Sequence, residues 1–268
     1  MELSFTKMVG SGNDFVLMDR RRKGTISRAE GAKLAREFCD RRWSIGADGL
    51  VILEPSKKAN FKMRIFNPDG SEAEMCGNAS RCASYYVAAP RGKVTFETIA
   101  GILEAKVQGT LVKVKLPNPN SFRRALPVSL DGRLKTLHFI KASVPHAILF
   151  VEDLTKIDLN GWGKTIRHHS LFYPKGTNVD FVKVRGPHQI GIRTYERGVE
   201  GETLSCGTGS TASALVSAKI HGVRSPVTVL TKGGERLRIY FKERNGGFEE
   251  VSLEGRVTKV FEGRINHV

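Results

Sequence analysis

Apolar and polar residues alternate along two stretches of this chain. Residues 93–117 read KVTFETIAGILEAKVQGTLVKVKLP, and residues 226–253 read PVTVLTKGGERLRIYFKERNGGFEEVSL. Alternation broken by glycine-bearing turns is the pattern of a strand meander, so each stretch predicts three short strands. Two other stretches have no polar face. ASRCASYYVAA (79–89) stops before Pro90, and GSTASALVSAKI (209–220) stops before Gly222. A helix that is small and apolar nearly all round is a buried helix, and Pro and Gly are expected just past such a helix. An ordinary amphipathic helix is predicted over 28–41. Ser27 and Glu30 form a capping box there, Leu34 and Phe38 supply the apolar stripe, and Cys39 packs beside Phe38.

These elements fall into two copies of one pattern. MRIFNPDGSEAEMCG (63–77) matches IRTYERGVEGETLSCG (192–207): a strand, a turn with glycine, acidic residues, then Cys-Gly. In each copy the buried helix and then the meander follow. The prediction is an α+β protein of two pseudo-symmetric domains, each a mixed sheet or barrel wrapped around a central buried helix. The Pro/Asn stretch LPNPNS (116–121) marks the boundary. The domains are then 1–118 and 119–256, with an active site expected in the cleft between them. The last strand, within 257–268, is expected to return to the first domain.

Composition narrows the class. Of 268 residues, 40% are hydrophobic and 26% charged, the profile of a folded domain with a sizeable core. The N-terminus turns polar at once and lacks the apolar run of a secretory signal, so a cytoplasmic location is expected. Four cysteines with no Cys-x-x-Cys are too few for a disulfide framework or a zinc knuckle, and no metal site is expected. The net charge of +16 is spread in short clusters without interleaved aromatics. That reads as a solvated basic surface rather than a specific nucleic-acid interface.

The chemistry concentrates at Cys76 and Cys206. At a helix N-terminus, unpaired backbone N–H groups and the helix dipole favour anions, which is expected to lower a thiol's pKa. One such cysteine suggests a nucleophile. Two matching ones suggest an acid–base pair, in which a thiolate removes a proton from one face of a carbon and a thiol returns one to the other. The alternative is two buried cysteines inherited by duplication. Cys82, which Ala212 replaces in the second copy, is read as packing.

Six pieces then resemble a known family. FTKMVGSGNDFVLMD (5–19), IGADGL (45–50), RIFNPDGSEAEMCGNASRC (64–82), VPHAILFV (144–151), GTNVDFV (176–182) and YERGVEGETLSCGTGSTAS (195–213) occur in the order seen in diaminopimelate epimerases. The resemblance implies a cofactor-independent isomerase that converts LL-2,6-diaminopimelate to the meso form in lysine and peptidoglycan biosynthesis, acting as a homodimer. It implies Cys76 and Cys206 as the acid–base residues, with His146 and Glu196 tuning their pKa values. Asn13, Asn67, Asn178, Glu196 and Arg197 would bind the substrate, with Gly77-Asn78 and Gly207-Thr208 as backbone cradles. His168 and His169 have no role in that pattern and read as a helix C-terminal cap region. Val144 stands where the family often has Asn, Gly49 where part of it has Gln, and ERGVEGET is one residue longer than the common form. These departures leave room for a related racemase acting on another amino acid. A nucleic-acid-binding protein on the same scaffold is a more distant alternative.

Overall fold

The computed structural model describes residues 2–266. Met1, His267 and Val268, counted above among the ends of the first domain, lie outside the described residues. The chain divides into two compact units, Met1–Lys115 with Glu254–Val268, and Leu116–Leu253.

Unit 1 contains β1 (Glu2–Gly10), β2 (Asn13–Asp19), α1 (Arg28–Phe38), β3 (Gly49–Glu54), β4 (Phe61–Phe66), β5 (Glu72–Ala73), α2 (Gly77–Ala88), β6 (Arg91–Thr98), β7 (Gly101–Gln108) and β8 (Leu111–Lys115). β1 and β2 pair antiparallel, β2 and β3 parallel, β3 and β4 antiparallel, β4 and β6 parallel. β6, β7 and β8 form the antiparallel meander. The last strand of the chain, Gly247–Asn266, pairs with both β8 and β1 and closes an eight-stranded barrel. Closure removes the exposed sheet edge. α2 packs on seven of the barrel strands, among them β1, β6, β7 and β8.

Every residue of β3 is buried, because the strand has helix on both sides. Leu50 and Ile52 join the cluster beneath α1 with Leu34, Ala35 and Phe38. Alternation turns Val51 and Leu53 to the opposite face. The predicted meander and buried helix are both present. α1 is shorter than the 28–41 expected. Ser27 caps it by accepting the Glu30 N–H, but it ends at Phe38, where Asp40 accepts the N–H groups of Arg42 and Trp43 and turns the chain away. Cys39 is the C-cap residue and is buried.

Unit 2 repeats the topology with β9 (Asn120–Leu130), β10 (Arg133–Ala142), β11 (Val144–Phe150), α3 (Leu159–Arg167), β12 (Asn178–Gly186), β13 (Gln189–Glu196), β14 (Gly201–Thr203), α4 (Gly207–His221), β15 (Val227–Leu230), β16 (Arg236–Arg244) and the start of β17 (Gly247–Asn266). The series β10 to β16 reproduces β1 to β7: antiparallel β10–β11, parallel β11–β12, antiparallel β12–β13, parallel β13–β15, antiparallel β15–β16. α3 falls where α1 does, between the parallel strands. The repeat therefore covers both units, beyond the stretch visible around each Cys-Gly.

α4 is buried from Gly209 to Ala218. Two of its hydroxyls suit that position, since Ser210 donates to the Cys206 carbonyl and Thr211 to the Gly207 carbonyl. Ser210 and Thr211 thus satisfy their hydroxyls against their own helix, whereas those of Ser213 and Ser217 are buried without a partner among the described residues, and the small side chains let strands approach closely. Gly222, at φ 66°, ends α4 in the left-handed conformation, where its N–H reaches the Ala218 carbonyl. His168 caps α3, and His169 caps the short helical turn at Ser170–Phe172.

Candidate active site

Each Cys-Gly is delivered by the same device. A short strand leads into it, tied by a bidentate ion pair to the strand before. In unit 1, Arg64 on β4 grips Glu72 on β5 at 2.6 and 3.1 Å. In unit 2, Arg193 on β13 grips Glu202 on β14 at 2.6 and 2.9 Å. Such forks are the geometrically specific form of the Arg–carboxylate pair. Each Glu stands four residues before its cysteine, so the clamp sets where the helix begins. In the sequence alone these positions show only as acidic residues ahead of each Cys-Gly. The signal was the shared Arg three residues before Asn67 and before Glu196.

Cys206 is the N-cap of α4, and its sulfur accepts the Gly209 N–H at 3.4 Å. Thr208 Oγ1 lies 3.4 Å from that sulfur and 3.0 Å from His146 Nε2. His146 Nδ1 is 2.7 Å from Asp180 Oδ2, and both side chains are fully buried. Asp180 Oδ1 accepts the Thr194 hydroxyl at 2.7 Å. The carboxylate only accepts, so it calls for the proton on Nδ1 and leaves Nε2 to accept from Thr208. Thr208 can then accept from the Cys206 thiol. The four residues form one oriented chain, S–H to O–H to imidazole to carboxylate.

Strand register assembles this chain. His146 and Asn178 are paired across parallel β11 and β12, and Asp180 shares the Asn178 face two residues on. His146 is therefore not on a strand edge, since β11 is flanked by β10 and β12. Val144 shares the His146 face. Gly209 has no room for a side chain, because a Cβ there would sit 2.4 Å from Asp180 Oδ1. Asp180 lies within GTNVDFV but has no role in the family pattern read from the sequence. Its signal was the two-residue spacing from Asn178 on a buried strand.

The expected acidification of the thiol does not hold for Cys206. Burial pushes its pKa well up, the charges of Glu196 and Asp180 push it further, and the hydrogen bonds from Thr208 and Gly209 oppose them without prevailing. Desolvation outweighs the partial charges of a helix end. Glu196, at the end of β13, is also raised by burial, against the opposing influence of Thr203 and His146. Arg197 follows it, its N–H donating to Asn178 Oδ1 at 2.8 Å and its Nη1 to the Lys175 carbonyl at 3.4 Å. In the lengthened turn, Glu200 takes φ 55° and accepts from Gly198 N–H and from Arg167.

In unit 1, Cys76 is the N-cap of α2, with Gly77 and Asn78 as its first residues. Asn78 donates to Asn13 Oδ1 at 2.6 Å. Asn13 donates to Asp48 Oδ2 at 2.9 Å. Asn67 stands apart from this group. It opens an exposed turn, its backbone N–H donates to the Ser71 carbonyl, and its amide donates to the Ser71 hydroxyl. Cys82 is fully buried and packs close to Gly10. Among the described residues no group of three or more His, Cys, Asp or Glu side chains is placed to hold a metal ion. No helix among them is long and apolar enough to cross a membrane.

Two units built by duplication around buried helices define a fold class, and solved structures share it. A phenazine biosynthesis protein of the PhzF family from Bacillus anthracis matches with a TM-score of 0.77 over 100% of both chains at 14% identity. A probable proline racemase from Agrobacterium radiobacter matches with a TM-score of 0.73 at 15% identity, over 98% of this chain and 93% of that one. At that identity the likeness is one of fold.

Sequence takes the assignment further. The profile of the diaminopimelate epimerase family matches residues 5–120 and 138–260. The chain is 45% identical to the diaminopimelate epimerase of Aquifex aeolicus, over 98% of each chain. It is 42% identical to that of Archaeoglobus fulgidus, over 100% of this chain and 99% of the other. The chain belongs to the diaminopimelate epimerase family.

Proposed function

We propose that this protein inverts the α-carbon of LL-2,6-diaminopimelate to give the meso isomer, a step of lysine and peptidoglycan precursor synthesis. The carrying observation is family membership over nearly the whole chain, joined to two clamped Cys-Gly helix starts. In this reading one cysteine thiolate takes the α-proton, leaving a carbanion. The other thiol protonates the opposite face and becomes the thiolate, so protons balance over the turn. Backbone N–H groups at Gly77-Asn78 and Gly207-Thr208 hold the α-carboxylate. Asn13, Asn67, Asn178, Glu196 and Arg197 take the remaining polar groups. The chain Cys206–Thr208–His146–Asp180 gives a raised thiol a route by which to lose and regain its proton. No organic cofactor is needed by this chemistry.

The test is exchange of the α-proton of diaminopimelate with D2O, with chiral chromatography of the products. Cys76→Ala and Cys206→Ala should each abolish inversion. Full inversion by either variant would sink the reading. A panel of other amino acids addresses the Val144 departure, since preference for one of them would point to a related racemase.

We also read the protein as a cytoplasmic homodimer. Working thiols suit a reducing compartment. Val260 and Phe261 on β17 stand 51% and 48% exposed, next to one another on a strand. A partner copy would cover them. Sedimentation of Phe261→Glu should give a monomer if this surface is the interface.

A further inference from the structure

Four side chains of unit 1 form a hydrogen-bonded line with fixed ends. Arg81, fully buried on α2, donates from Nη2 to Asn78 Oδ1 at 2.7 Å. Asn78 Nδ2 donates to Asn13 Oδ1, and Asn13 Nδ2 to Asp48 Oδ2, at 2.6 and 2.9 Å. A guanidinium can only donate and a carboxylate can only accept. The direction of the line is therefore forced from both ends, and neither amide can flip without facing like against like. Arg81 is itself seated on the β1–β2 turn by the Ser11 hydroxyl and on α2 by the Gly77 carbonyl. Asp48 is held in turn, its Oδ1 accepting from Arg41 Nη2 at 2.7 Å and its backbone N–H donating to Asp14.

We propose that Arg81 and Asp48 are positioning residues that set the amide orientation of Asn78 and Asn13 for substrate binding. The proposal rests on the epimerase reading for what is bound. With the polarity set this way, each amide spends one N–H within the line and keeps its second N–H available. The pair then offers donors, which suits a carboxylate group of the substrate. A flipped amide would offer a carbonyl oxygen and repel it. Arg41 neutralises Asp48 but does not determine the polarity, because Asp48 remains an acceptor without it.

That distinction makes the test. Asp48→Asn is nearly isosteric and removes the acceptor-only end. We expect KM to rise about 10-fold with kcat within about 2-fold, the pattern of lost uniform binding. Asp48→Glu keeps an acceptor-only end and should stay within about 3-fold of the parent KM. Arg41→Gln should change KM by no more than about 2-fold. If Asp48→Asn does not fold, Asp48→Ser should give the same KM rise. A 1H–15N spectrum supplies a readout independent of turnover. The side-chain amide protons of Asn13 and Asn78 should exchange slowly in the parent and in Arg41→Gln, and faster in Asp48→Asn. An unchanged KM and unchanged amide exchange in Asp48→Asn would overturn the proposal. So would an Arg41→Gln variant as impaired as Asp48→Asn, since the charge cluster rather than the polarity would then be at work. If the parent does not turn over diaminopimelate, the epimerase reading fails, while the amide exchange still decides whether the line is polarised.

Discussion

Replacing Thr208 with Val removes the hydroxyl between Cys206 and His146 and keeps the branched shape. Thr208 Oγ1 stands 3.4 Å from the sulfur and 3.0 Å from His146 Nε2. Its hydrogen bond is one of two influences that pull the Cys206 pKa down against burial. A long, ordinary hydrogen bond contributes about 1 kcal/mol net. That corresponds to a factor of about 5 in the thiol–thiolate equilibrium. When Cys206 ionises, the chain reverses and the Thr208 hydroxyl turns from His146 to donate to the thiolate, so without it the thiolate loses a donor, the pKa rises further and the thiolate fraction at a fixed pH falls about 5-fold. Thr208→Ser keeps the hydroxyl and should titrate like the parent. The assay is an alkaline titration of far-ultraviolet thiolate absorbance, taken as the difference from Cys206→Ser in a Cys76→Ser background. The α-proton exchange rate, followed in the Cys76-containing protein, should fall by a similar factor. A Thr208→Val midpoint equal to or below that of the parent would refute the relay and the sign argument together.

Other outcomes follow from the same structure. Gly209→Ala drives a Cβ to 2.4 Å from Asp180 Oδ1 and should cost about 1–3 kcal/mol in denaturant unfolding, as overpacking does. Burial pushes the Cys39 thiol from 9.0 up to about 12. The unfolded chain therefore loses this proton first, and stability present below about pH 9 declines as pH rises toward 12. Unfolding curves measured across that range should show a shallower alkaline decline in Cys39→Ala. Glu200→Ala removes an exposed ion pair with Arg167 and should change stability by less than about 1 kcal/mol. It also releases the Gly198 N–H, so KM should rise a few-fold as the Arg197 turn loosens, a change that steady-state kinetics would read.

Much of the fold could be read in the chain because its strongest signals are local. Pro90 and Gly222 end α2 and α4 where expected, and the two meanders are written in plain alternation. α1 ended early because one carboxylate, Asp40, turned the chain, an effect no apolar stripe reveals. The candidate site was legible only in part. Cys-Gly was visible as a duplication, but the Arg64–Glu72 and Arg193–Glu202 forks join residues on different strands and emerge only from register. The thiol pKa was misread at Cys206 because the sequence shows a helix start and hides the depth of its burial. Register also shows where the copies diverged. Matching β2–β3 to β11–β12 and β4 to β13 sets Phe15, Val51 and Asn67 against His146, Asp180 and Glu196. The scaffold is duplicated, and the ionisable surroundings of the thiol belong to the second copy.

β17 carries a consequence for biosynthesis. Its first residues belong to unit 2, and the portion from Glu254 onward closes the barrel of unit 1 against β1 and β8. A ribosome makes the chain from the N-terminus, so the earliest strands wait for the last ones made. Unit 2 is complete at Leu253, while the first-made barrel still lacks its closing strand. The nascent chain thus reverses the usual N-terminal-first order of domain folding. A premature stop a dozen residues from the end would leave β1, the first strand made, with an open edge, because its partners on β17 run from Val257 to Asn266.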